Sequence, residues 1–119
     1  MFTFMTDRSE LIKGIAQIGA NYSDYKKEIQ EYPWDCDSEL YFLTKQDLLS
    51  VFSRFESGEL DSDAIENWAN FLECRDDLGY ESDYEDELRD MIFLLANPVI
   101  NYSIDVKLIN ELAEKIRAL

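Results

Sequence analysis

Histidine does not occur in this 119-residue chain, so the side chain that most often serves as general base, proton shuttle or metal ligand is missing. Basic residues are scarce as well, 11 Lys and Arg against 26 Asp and Glu for a net charge of −15, which opposes direct binding to a phosphate backbone. Cysteine is limited to Cys36 and Cys74, which belong to no C-x-x-C pair. That excludes a thioredoxin-like or zinc-ribbon motif, and both are read as free thiols, with a disulfide between them as the alternative. No apolar run reaches 18 residues, and the start of the chain has no basic segment leading into an apolar one. A soluble, cytoplasmic chain with no membrane partner is expected.

Hydrophobic residues make up 46% of the chain and recur along its whole length, enough for one core and one helical domain over residues 1–119. The charge is not spread in the same way. Residues 56–90 hold fourteen acids and two bases, a local net of −12, whereas residues 91–119 are neutral. An anionic field of this kind steers a cationic partner toward it.

The helical signals run in order. Leu11, Ile15, Ile18, Tyr22 and Tyr25 recur at helical spacing, which predicts a helix over residues 7–31, weakened by Gly14 and Gly19, with a kink near Asn21 or a break into two over Asn21-Tyr22-Ser23-Asp24, and a stop at Pro33. Tyr41-Phe42-Leu43 is a short extended candidate, but no alternating run is evident to pair with it. Thr44 caps a helix over residues 44–57 that stops at Ser57-Gly58. Asp61 or Ser62 opens the next, carrying Ile65, Trp68, Ala69 and Leu72, and the short connection suggests that these two helices lie antiparallel. The apolar run over residues 91–96 predicts the most buried helix. Ser103 then caps a last one burying Val106, Ile109, Leu112, Ala113 and Ile116. The fold class is all-α, a bundle of about five helices.

Chemistry finds few footholds. Asp61-x-Asp63 opens like a calcium loop but has Ile65 and Glu66 at the fifth and sixth positions, and Asp83-x-Glu85-x-Glu87 has Leu88 where glycine belongs. No Glu-x-x-His pair exists for a di-metal bundle. Catalytic carboxylates need a partly desolvated pocket, and Asp76-Asp77 and Glu85-Asp86-Glu87 sit in stretches crowded with acids, so no enzyme, metal or cofactor is expected. Aromatics interleaved with acids instead have the composition of an interface. The candidate partner-binding residues are Asp76, Asp77, Tyr80, Glu81, Asp83, Tyr84, Glu85 and Asp86, with a second group at Trp34, Asp35 and Asp37. Trp68 reads as core and Arg75 as a local ion-pair organiser.

Trp68-Ala69-Asn70, Glu73-Cys74-Arg75-Asp76-Asp77 and Leu95-Ala96-Asn97-Pro98 together resemble small acidic helical bacterial proteins that act as immunity partners of secreted toxins. The likeness spans residues 43–98. It implies a protein that neutralises a cognate toxin, commonly a nuclease, in contact-dependent growth inhibition or a related competition system. It identifies neither the toxin nor the contact residues. The rival expectation is an acidic adaptor or DNA-mimic inhibitor of a nucleic-acid-binding protein, with a carboxylate enzyme and a self-associating structural subunit as further alternatives.

Overall fold

The computed structural model describes residues 7–32, 38–73, 75–97 and 103–119. Among them are six α-helices, α1 (Arg8–Ala16), α2 (Tyr22–Glu28), α3 (Lys45–Glu56), α4 (Ser62–Glu73), α5 (Glu85–Ala96) and α6 (Val106–Ala118), and two short strands, β1 (Tyr41–Leu43) and β2 (Leu78–Tyr80). The fold is mostly helical, as expected, and one hydrophobic core runs through every helix except α2, which buries no residue fully but packs Tyr22 and Tyr25 against it. Pro33, Trp34, Asp35, Cys36, Asp37, Cys74 and Pro98 lie outside the described residues.

The long N-terminal helix of the sequence reading is two helices. Ile18 adopts a left-handed φ of +47°, rare for a β-branched residue, and the chain turns there. The Gly19 N–H donates to Gly14 O at 2.9 Å and the Ile18 N–H to Ile15 O at 3.1 Å, the paired bonds of a Schellman C-cap. The remaining carbonyls of this end are taken from outside. Trp68 Nε1 donates to Ala16 O at 3.0 Å, and Arg54 Nη1 donates to Gln17 O and Ile18 O at 3.2 and 2.9 Å. Two side chains from α3 and α4 thus fix where α1 stops. Tyr25 then folds back so tightly that a β-carbon on Gly14 would meet its ring at 2.5 Å. The second segment ends in a 3-10 turn, Ile29–Glu31, and Tyr32 is extended, as a residue before proline must be.

Thr44 caps α3 as the sequence indicates. Its hydroxyl accepts from the Asp47 N–H at 3.1 Å, and Asp47 accepts from the Thr44 N–H at 3.1 Å, completing a capping box. Asp61 likewise accepts from the Ala64 N–H at the start of α4. The expected antiparallel neighbours α3 and α4 are not each other's main partners, since α4 packs chiefly on α5 and α3 on α6. Trp68, Ile65 and Leu72 of α4 are fully enclosed.

Two details of the last helices differ from expectation. Asp105 rather than Ser103 caps α6, accepting from the Leu108 N–H at 2.8 Å, and Leu108 is buried while Val106 is exposed. On α5 the inward side chains are Leu88, Met91, Ile92, Leu95 and Ala96, while Phe93 is 52% exposed, so the apolar run does not make this helix buried on all sides.

The strands are the larger correction. Leu78–Tyr80, where the sequence shows no alternating run, pairs in parallel with Tyr41–Leu43 in the register Tyr41 to Leu78, Phe42 to Gly79 and Leu43 to Tyr80. With α3 and α4 as the crossover, this two-stranded sheet sets the start of α5 beside the start of α3. There Glu81 accepts from the Lys45 N–H at 3.0 Å.

Candidate partner-binding surface

The acidic candidates separate into an inner and an outer group. Asp77 belongs to the inner one, with no exposed surface, and is therefore not an outward contact residue. Its Oδ1 accepts from Arg75 Nε at 2.9 Å, and its Oδ2 from Arg75 Nη2 at 2.8 Å and from Arg8 Nε at 2.9 Å. Burial alone would raise the Asp77 pKa, but hydrogen bonds and charge from Arg75 and Arg8 outweigh it and hold the carboxyl below its ordinary value. Arg75 is the ion-pair organiser that the sequence suggested, tying the end of α4 to β2, while Arg8 brings in α1.

Tyr80 is also internal. At 7% exposure it is part of the core, with Arg89 stacked 5.3 Å from its ring centre. Burial, with the charges of Glu73 and Glu39 added and that of Arg89 opposing, pushes its hydroxyl pKa up to about 12. Tyr84 is half-buried beneath Lys45, whose Nζ lies 4.1 Å from the ring centre. These tyrosines hold the junction together more than they offer apolar contact.

The outer group is Asp76, Asp83, Glu85 and Asp86, all exposed, with Glu81 half-buried. Glu85 pairs with Arg89 at 2.7 Å. Sequence reasoning left out Glu87, Asp90 and Phe93, which α5 adds to the same region. Asp86, Glu87, Asp90 and Phe93 follow one another at helical spacing on one side of α5, and Asp83 is exposed in the 3-10 turn, Ser82–Tyr84, just before that helix starts. The spacing of charges was available in the sequence, and the missing signal was that α5 begins at Glu85. None of Asp76, Asp83, Asp86, Glu87 or Asp90 pairs with a lysine or arginine, and all eleven of those lie among the described residues.

Acids in the first turn of α5 are favoured by the positive end of the helix, by about 0.3–1 kcal/mol each. Asp90 lies beyond that turn and one turn from Asp86, a like-charge spacing that costs an isolated helix about 0.2–0.5 kcal/mol. Capping therefore accounts for only part of the stripe.

A second polar network is structural. Asp47 accepts from the Tyr41 hydroxyl at 2.5 Å and, with Tyr41, from Gln17 Nε2 at 3.1 and 3.0 Å. Burial and the Asp47 carboxylate both raise the Tyr41 pKa. A groove of about 450 Å³ along α6 has Leu94, Leu108 and Leu112 beside Lys107, Glu111 and Lys115. Among the described residues no three carboxylates or thiols converge to hold a metal, and no helix is long and apolar enough to cross a membrane.

No protein-family model, curated protein or solved structure matches the chain.

Proposed function

We propose that this chain is an immunity protein that binds a basic toxin domain, a nuclease, and neutralises it by covering the cationic surface on which the nucleic acid would lie. The observation that supports this reading is the stripe Asp86, Glu87 and Asp90 along the start of α5, with Asp83 in the turn just before it, carboxylates that no base of the chain pairs with. Such a stripe is complementary to lysines and arginines placed to hold successive phosphates. The frame beneath it is fastened by the Asp77 pairs, by Lys45 over Tyr84 and by Arg89 over Tyr80. Rigid presentation lowers the entropy lost on binding. Inhibition is stoichiometric and involves no chemistry by this chain.

The deciding experiment begins with the neighbouring open reading frame: where it encodes a large secreted protein, the C-terminal domain of that protein is coexpressed with this chain. A one-to-one complex and blocked cleavage of RNA or DNA by that domain are expected. Unimpeded cleavage with equimolar protein present refutes the proposal. Broad inhibition of several unrelated nucleic-acid-binding proteins would instead favour the DNA-mimic reading.

A further inference from the structure

Phe42, the middle residue of β1, points to the opposite face of the strand from Tyr41 and Leu43. Its neighbours point inward, Leu43 into the core and Tyr41 onto Asp47, while Phe42 is 50% exposed. Its partner across the strands is Gly79. A β-carbon on Gly79 would lie 2.7 Å from the Phe42 ring and 2.8 Å from Glu39 Cδ, so both side chains are seated on the one position that has no side chain. The Cδ1–Cε1 side of the ring thus lies against the glycine, and half of the residue's surface meets solvent. The exposed Glu39 carboxylate is its neighbour on that seat, and no lysine or arginine pairs with it.

Elsewhere this protein places its own cations over five of its rings. Lys26 lies over Tyr22 and Phe71, Arg8 over Tyr32, Lys45 over Tyr84, Arg75 over Phe71 and Arg89 over Tyr80. Phe42 has none. A half-exposed ring beside an unpaired carboxylate has the two features that a planar guanidinium uses, a π face to stack on and an acceptor for its N–H groups.

We propose that Phe42 and Glu39, seated together on Gly79, accept one arginine side chain of the basic partner. This rests on the reading of the partner as basic, and it places an anchor on the sheet in addition to the acids of α5. The ring and carboxylate distinguish arginine from lysine, which a stripe of charge alone does not.

The test is an amide NMR titration of the full chain at low ionic strength with an acetylated Gly-Arg repeat peptide, and with the matching Gly-Lys peptide. The arginine peptide is expected to shift Phe42 and Gly79 more than the lysine peptide does. Phe42→Leu keeps an apolar cover on Gly79 but removes the π face, and Glu39→Gln removes the charge. Each should raise Kd for the arginine peptide about two- to fivefold, the equivalent of an exposed cation–π contact, while Glu87→Gln leaves the shifts at Phe42 and Gly79 in place. Shifts confined to residues 83–90, unchanged binding by Phe42→Leu, or equal shifts from both peptides would overturn the anchor and leave the acidic surface standing. No shift anywhere would overturn both.

Discussion

Arg75 and Asp77 stand two residues apart and meet at two points, Nε to Oδ1 at 2.9 Å and Nη2 to Oδ2 at 2.8 Å, on a carboxylate with no exposed surface. Arg8 adds the third contact from a helix 69 residues earlier. Removing the acid leaves two mostly buried guanidinium groups short of their partner. Asp77→Ala should therefore destabilise the fold by about 3–5 kcal/mol, measured by urea unfolding. Replacing Asp76, the exposed acid beside it, with alanine should change stability by less than about 0.5 kcal/mol.

The same carboxylate gives an acid dependence of known sign. Its folded pKa lies below the ordinary 3.8, so the unfolded chain binds the proton more readily. The stabilisation is present above that value and is lost as the pH falls from there through the folded pKa. Unfolding free energies of the wild type and Asp77→Asn should converge as the pH is lowered below about 4. A constant gap over that range would contradict the assignment.

At the alkaline end the tyrosines act in the opposite sense. Tyr80 has its pKa pushed up to about 12, and Tyr41 is raised by burial and by Asp47. Both stay neutral in the fold after they have ionised in the unfolded chain, so stability is full below about pH 10 and declines above it. Tyr80→Phe, followed by circular dichroism over this range, should flatten the decline between pH 10 and about 12.

The local signals in the chain were the readable ones. Thr44 with Asp47 three residues on marked the start of α3, and Trp68, spaced with Ile65 and Leu72, marked a core face. Pairing between Tyr41–Leu43 and Leu78–Tyr80 was not readable, because three-residue strands show too little alternation and lie 37 positions apart. Asp77 looked like one more surface acid for a similar reason. Its pairing with Arg75 is local, but its full burial and the third contact, from Arg8 69 residues away, leave no record in composition. Phe93 was assigned inward because residues 91–96 are apolar all round, although the fold leaves one side of α5 uncovered. Much of the motif that resembles immunity proteins falls on Trp68, Ala69, Arg75, Asp77, Leu95 and Ala96, which hold the frame. A resemblance carried by such residues bears on the scaffold and leaves the contact surface open.

The charge on α5 can be tested separately from the fold because its acids are exposed and unpaired. Asp86→Asn and Asp90→Asn together remove two charges and relieve their mutual repulsion, at the cost of one favourable charge in the first turn. Those effects nearly cancel, so stability should shift by no more than about 0.5 kcal/mol. Binding to the basic partner should respond differently. Charges outside a fully buried contact act mainly on the encounter, so the association rate should fall severalfold at low ionic strength while dissociation changes less. Raising the salt shortens the screening length to about 8 Å at 0.15 M and should bring the two proteins' association rates together. Stopped-flow mixing at two salt concentrations reads this directly. Equal rates at low salt would mean that the partner approaches another face.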